Sequence, residues 1–495
     1  MLDSLLWSLP KSGKPTNLRT AIVVTYQLRW RTSPGLTFNS GIQAEETSGQ
    51  DRTVTELSST LTKMMLNASS AAERQTSLEG LAFVSLKSSV KEDIVKDTKL
   101  LKRLIETLED KTSPGPSVYG ALTVFVNITA YRPTETDEQK RMSQLKAYAN
   151  SSKPKEEDAL ENEAHVRVRC RKVLDAAVVP QLVSRSKTGS SAVLNLIIQI
   201  IHALSKEQKH RGTLAQQGAV KLLLQSIERS QVREKDQTPS EPSPIKRTAS
   251  HALSRILISV NPNHAFSSGV PATSAIRPLL DLLTEEDTST SSGDQKDLLP
   301  TFESLLALTN LASTEDNTIR DTIIRNAWPQ IEELMLSSIP LLQRASVELV
   351  CNLMASPSGV ARFADGSKQA GNRMHILLAL ADVDDLATRK AAGGALAMLT
   401  EWDAAVEAVL GKERGVRILL AMCEDGNEEM VHRGVACLLN VVSAPGEVGE
   451  RGVGRVRKEN GAEVLKSALQ KTRNPQVLQL GIEVLKKLTS SSSSS

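Results

Sequence analysis

The sequence predicts an all-α protein assembled as a solenoid of short helical repeats, and three observations carry that expectation. Aromatic residues are only 3% of the chain, too few for an aromatic-cored sandwich or barrel, while the apolar runs are rich in the strong helix formers Leu and Ala. At 495 residues the chain is about twice the length at which one hydrophobic core stops growing, so several domains or a quasi-one-dimensional stack are required. A short apolar block with one polar slot recurs at a period in the low-to-middle forties, the length of a two- or three-helix solenoid repeat.

Composition narrows the function classes. Hydrophobic residues at 40% and charged residues at 24% match a chain that mostly folds. Sixty basic against fifty-seven acidic side chains leave +3, which selects neither nucleic acid nor an anionic membrane as partner. Cys170, Cys351, Cys423 and Cys437 form no CxxC pair and read as reduced thiols packed as small hydrophobes in a cytoplasmic protein. The start, MLDSLLWSLPKSGK, lacks a basic n-region, and no apolar run reaches the length of a membrane span.

Taken in order, residues 1–51 carry Pro10, Pro15 and Pro34 without a sustained period, apart from the AIVVTYQLRW run ending at Trp30, and are expected to be a poorly ordered leader. Residues 52–205 read as N-terminal helical repeats with a polar insertion at 132–165. Residues 206–489 read as C-terminal repeats with polar insertions at 231–247 and 285–297, and a Ser-rich tail fills 490–495. The insertions are rich in Ser, Pro and charge, as solvated loops are.

The repeated block is VFVNIT at Asn127, LALTNLAS at Asn310, ELVCNLMAS at Asn352 and ACLLNVV at Asn440, with degenerate slots at Ser85, Ala203, Ile256, Met398 and Lys487. Successive slots stand 42 to 47 residues apart, except for the three steps that contain the three insertions. A second recurrence precedes the block, at Gly218 in QQGAVKLLLQSI, Gly415 in KERGVRILLAM and Gly461 in NGAEVLKSAL. A short helix turning sharply into the next needs the positive φ or the close backbone approach that Gly accepts. The order short helix, Gly, apolar helix, loop, long apolar helix resembles the armadillo repeat, whose third helices line a groove in an armadillo-repeat superhelical solenoid.

Catalytic chemistry finds no anchor. The seven histidines are dispersed without an HExxH or HxH pairing, so neither a metal nor a cofactor is expected, and the protein is expected not to be an enzyme. GEVGERGVGRV, with Gly446, Gly449, Gly452 and Gly454, lacks the preceding strand and GK[ST] ending of a phosphate loop and is assigned to an inter-repeat loop. HVRVRCRK directly follows a run of Glu and Asp and is assigned to local charge cancellation at a helix start.

The slot asparagines carry the binding expectation. A row of Asn amides can bond the unpaired N–H and C=O groups of an extended peptide, or each can tie its helix to a neighbouring loop. Both readings stand for Asn310 and Asn352, Asn440 is placed with them in the client-binding groove, and the bracing one is preferred for Asn127. Arg344, Arg389 and Arg433, near the starts of third helices, either point to the groove mouth or bond carbonyls of the preceding repeat.

Several blocks together resemble the UCS domain of myosin-directed chaperones, named from its UNC, Cro and She members. They are SLEGLAFVSL (77–86), VYGALTVFVNITAYRP (118–133), EQKRMSQLKAYA (138–149), LLALTNLAS (305–313), AWPQIEELMLSS (327–338), QRASVELVCNLMASP (343–357), RKAAGGALAMLTEW (389–402) and HRGVACLLNVV (432–442). The resemblance implies a cytoplasmic co-chaperone that binds the myosin motor domain in its groove. With the 90-kDa heat-shock chaperone it would promote folding and actin-based function of that motor, and it leaves self-association open. It implies a fungal-type member, because no 34-residue tetratricopeptide pairs precede the repeats. The contrasting expectation is a general interaction scaffold without folding activity. A nuclear-import adaptor would set Trp about a turn before each groove Asn, where this chain has Leu306, Glu348 and Ala436.

Overall fold

The computed structural model describes residues 46–132, 158–235, 244–266, 269–284 and 297–490. The described residues fall into two compact units, Met1–Ala252 and Leu253–Ser495.

In the first unit the helices are α1 (Glu46–Asn67), α2 (Ala71–Val84), α3 (Ser88–Lys96), α4 (Thr98–Glu109), α5 (Gly115–Thr129), α6 (Glu163–Asp175), α7 (Val178–Ser186), α8 (Ser191–Ser205), α9 (Gln208–Gln216) and α10 (Ala219–Lys235). The unit boundary falls inside α11 (Pro244–Ser259). Long helices stack on their counterparts in the next repeat, α1 on α2, α2 on α5 and α5 on α8. The interfaces bury Leu78, Leu81, Phe125, Ile128, Ile197 and Ile201 completely, each such side chain contributing about 1.5–3 kcal/mol.

The second unit continues with α12 (Pro262–Ala265), α13 (Ile276–Leu280), α14 (Leu299–Ala312), α15 (Asn317–Met335), α16 (Pro340–Leu353), α17 (Pro357–Ala364), α18 (Lys368–Leu380), α19 (Leu386–Leu399), α20 (Asp403–Leu410), α21 (Gly415–Cys423), α22 (Glu428–Ser443), α23 (Gly446–Lys458), α24 (Gly461–Lys471) and α25 (Pro475–Ser490). Here the long helices form a ladder, α14 on α16, α16 on α19, α19 on α22 and α22 on α25. Local chemistry sets the starts of the rungs. Pro340 occupies the first turn of α16, where its missing N–H costs nothing; Asp385 accepts from Thr388 N at the head of α19; and Asn427 accepts from Glu429 N and Met430 N at the head of α22. This all-α solenoid is the expected fold class.

The three recurring glycines act by two different means. Gly218 takes φ +90°. Gly415 and Gly461 are needed for close approach instead, since a Cβ on them would lie 2.2 Å from Val409 O and 2.4 Å from Val456 Cγ1. The left-handed turn before α24 is made by Asn460, at φ 57°.

Three local expectations are corrected. The Gly-rich stretch assigned to an inter-repeat loop is helix α23. Gly449 and Gly452 sit where a Cβ would lie 2.0 Å from Ala444 O and 2.5 Å from Val441 O, so the helix packs too tightly for any side chain there. The insertion expected over 132–165 ends earlier, because Asp158 caps a 3-10 turn at Ala159–Glu161 and Glu161 is buried. The third correction concerns HVRVRCRK. Arg167 and Arg171 do pair locally, with Glu163 and Asp175, but Arg169 turns inward and is completely buried. Its Nε donates to Ile128 O at 2.9 Å, while its Nη atoms reach Glu92 at 2.9 Å, Leu160 O at 2.7 Å and Glu161 at 3.3 Å. Lys91 adds a 2.7 Å contact to Glu161.

α1 begins at Glu46, inside the expected 1–51 leader, α10 runs to Lys235 inside the expected 231–247 insertion, and α11 begins at Pro244. The remainder of the leader, most of the three insertions and residues 491–495 lie outside the described residues.

Candidate functional site

The ladder of the second unit brings the sequence-predicted residues onto consecutive rungs: Asn310 on α14, Arg344 and Asn352 on α16, Arg389 on α19, Arg433 and Asn440 on α22. All three asparagines spend their amide nitrogen on the preceding repeat. Asn310 Nδ2 donates to Leu257 O at 2.6 Å and Val260 O at 2.9 Å. Asn352 Nδ2 donates to Thr309 O at 2.9 Å. Asn440 Nδ2 donates to Ala397 O at 3.4 Å and Thr400 Oγ1 at 3.2 Å. Within the first unit Asn127 does the same, reaching Ala82 O and Ser85 Oγ, both at 2.9 Å. The acceptors lie at the C-terminal end of the preceding long helix, where carbonyls run short of backbone N–H donors; Thr309 O also accepts from Ser313 N, and Ala82 O and Ala397 O accept from the Ser85 and Thr400 hydroxyls. Each slot Asn therefore caps its neighbour, and its amide oxygen is what remains to meet a ligand.

The arginines are also paired. Arg344, on the exposed surface, contacts Glu348 one turn on at 2.9 Å. Arg389 bridges repeats, meeting Asp425 at 3.0 Å and donating to Val383 O and Asp384 O at 2.8 Å. Arg433 donates to Lys390 O and to Glu429, which also holds Lys390. The hydrogen bond from Lys390, aided by Arg433, lowers the Glu429 pKa below the ordinary carboxylate value despite some desolvation. The face thus presents paired charges over half-buried Asn amides. Glu429, Lys390 and Asp425 were missed in the sequence; the signal was their placement one period, or slightly less, from Arg389 and Arg433.

The first unit has a cleft of about 720 Å³ between α2, α5 and the start of α8, lined by Phe83, Pro116, Tyr119 and Val193 with Glu79 at its side. Three of its hydroxyls are spent locally, Ser113 on Asp110, Thr123 on Tyr119 O and Ser190 on the head of α8. The Arg185 guanidinium there is occupied by Leu108 O and Asp110 O.

Among the described residues no group of three or more His, Cys, Asp and Glu could hold a metal ion, and no helix is long and apolar enough to cross a membrane. Burial raises the thiol pKa of Cys437, and of Cys170, to about 12, which makes neither a nucleophile.

No family model matches the chain. Ring assembly protein 3 of Schizosaccharomyces pombe is 31% identical over 395 residues, covering 78% of this chain and 50% of that protein, so the chain spans half the length of this relative. Among solved structures, She4p superposes with a TM-score of 0.74 at 21% identity over 98% of this chain and 61% of its own. The myosin chaperone UNC-45 from C. elegans, solved with a Hsp90 peptide, superposes with a TM-score of 0.67 at 23% identity over 89% of this chain and 44% of its own. At these identities the two structures establish the shared fold.

Proposed function

We propose, for a chain that belongs to the UCS-domain family of chaperones, that it is a cytoplasmic, myosin-directed co-chaperone whose client-binding part is residues 206–489. The observation that carries the reading is the ladder α14, α16, α19 and α22. It holds Asn310, Asn352 and Asn440 at one repeat's spacing, with every amide nitrogen anchored.

In this reading an extended segment of the myosin motor domain lies across the rungs. Its backbone N–H groups are accepted by the asparagine amide oxygens, and Arg344, Arg389 and Arg433 flank it with paired charge. Anchoring the amides beforehand lowers the entropy cost of ordering them on binding. The role is non-enzymatic, and the chain promotes folding, stability and actin-based function of the motor together with the 90-kDa heat-shock chaperone, a reading that fits the fold it shares with a chaperone solved with a Hsp90 peptide.

Light scattering of heated myosin motor fragments tests this. At a near-stoichiometric ratio the chain is expected to suppress aggregation of the motor and to leave aggregation of an unrelated heat-labile enzyme unchanged. Binding without suppression would replace the folding role by that of a general scaffold. No binding to the motor would end the reading.

A further inference from the structure

The starts of the long helices of the second unit share one edge, and it is both apolar and acidic. Register fixes the arrangement. Asn352 reaches Thr309 O and Asn440 reaches Ala397 O, each across 43 residues, and a Cβ on Gly394 would lie 3.0 Å from Cys351 Sγ, at the same offset. In this register Leu299 stands opposite Leu342, one residue from Leu341, and Leu386 stands opposite Gln343, so an exposed leucine lies in the first turn of each of the three successive rungs α14, α16 and α19. Leu299, Leu341 and Leu386 are exposed at 45%, 58% and 40%, and the turn before α16 adds Leu336 and Ile339 at 60% and 37%. Single exposed leucines are ordinary, but a row contributed by consecutive repeats is a patch of the kind that marks an interaction surface.

The charges beside that row have an uneven balance. Most of its basic side chains are matched, Arg344 by Glu348, Arg389 by Asp425 and Arg414 by Asp382 at 3.1 Å, while Lys390 and Arg433 share Glu429, and Arg473, beside Thr472, makes no ion pair among the described residues. Asp384 and Glu424 make no ion pair among the described residues, and Glu428 accepts only from Thr472 Oγ1, at 3.0 Å. Asp297 and Asp385 add further negative charge while capping α14 and α19. These five carboxylates outnumber the one cation in excess at Glu429 together with Arg473, so the net charge along the leucine row is negative.

We propose that this edge docks a basic amphipathic segment of a partner protein, its leucine-type side chains on Leu299, Leu341 and Leu386 and its Lys or Arg side chains toward Asp384, Glu424 and Glu428. Apolar contact supplies affinity, and charge selects the partner and speeds encounter. The inference goes beyond the groove reading and does not depend on which client lies across the rungs.

The test uses the full chain and a fluorescein-labelled Leu/Lys peptide of about 18 residues, five helical turns, with its Glu-for-Lys counterpart as control. Fluorescence anisotropy should show the Lys peptide bound at least tenfold more tightly, with affinity falling as salt rises. The double variant Leu341→Ser with Leu386→Ser should weaken binding tenfold or more at unchanged melting temperature. Asp384→Lys with Glu424→Lys should narrow or reverse the preference, which keeps the test decisive if the serine variant folds poorly. Equal affinity for the two peptides, or wild-type binding by both variants, overturns the proposal. So does a dimer in light scattering that the serine variant converts to monomer, since the row would then serve self-association.

Discussion

At the scale of single residues, the asparagines show what an amide can do between repeats. Asn310 satisfies two carbonyls and Asn352 one, so truncation should not cost the same at both. Asn310→Ala is expected to destabilise the protein by about 1–3 kcal/mol and Asn352→Ala by about 0.5–1.5 kcal/mol, read from denaturant unfolding; equal losses would contradict the assigned bonds. Glycines give a sharper contrast. A Cβ on Gly434 would lie 2.9 Å from Cys423 N, Cys423 Sγ and Met422 Cβ, and backbone cannot yield cheaply, so Gly434→Ala should lose about 1–3 kcal/mol. Gly454, on the exposed face of α23 with nothing within 4 Å, should gain about 0.5–1 kcal/mol as Ala. A destabilised Gly454→Ala would mean that α23 is not the helix described.

The slot itself was legible in the sequence because a polar residue recurring in an apolar block at a fixed period must face a recurring environment. Which way its amide points was not. That depends on which helix-end carbonyls the preceding repeat brings within reach, and those of Ala82, Leu257, Thr309 and Ala397 become identifiable only once the rungs are in register.

At the scale of elements, periodicity located the long helices but misjudged places where charge or glycine is used against its usual habit. Gly-rich α23 reads as a loop, because helix propensity counts each glycine as a cost and cannot see the carbonyls that fill the space of its side chains. Arg169 reads as a solvated charge, because the carboxylates that accept it lie on α3 and on the turn at Ala159–Glu161. That buried group joins α3, the end of α5 and α6. Arg169→Met removes the cation and leaves Glu92 and part of Glu161 desolvated, so a loss of about 3–5 kcal/mol is expected. Thermal melting checks it; a variant as stable as wild type would show that the carboxylates are hydrated and the network carries little.

At the scale of the molecule, one rule repeated along the chain accounts for both stability and the proposed recognition. Each long helix of the second unit packs on the next, each slot Asn closes the end of its neighbour, and the same period that builds the core sets the spacing of groups offered to a client. The central claim is that a myosin motor segment lies across α14, α16, α19 and α22. Hydrogen–deuterium exchange of the full chain, alone and with purified myosin motor domain, tests it most directly. Slowed exchange concentrated within residues 299–443 is predicted. Motor binding that leaves these rungs unchanged, or protects only residues 46–235, would contradict it.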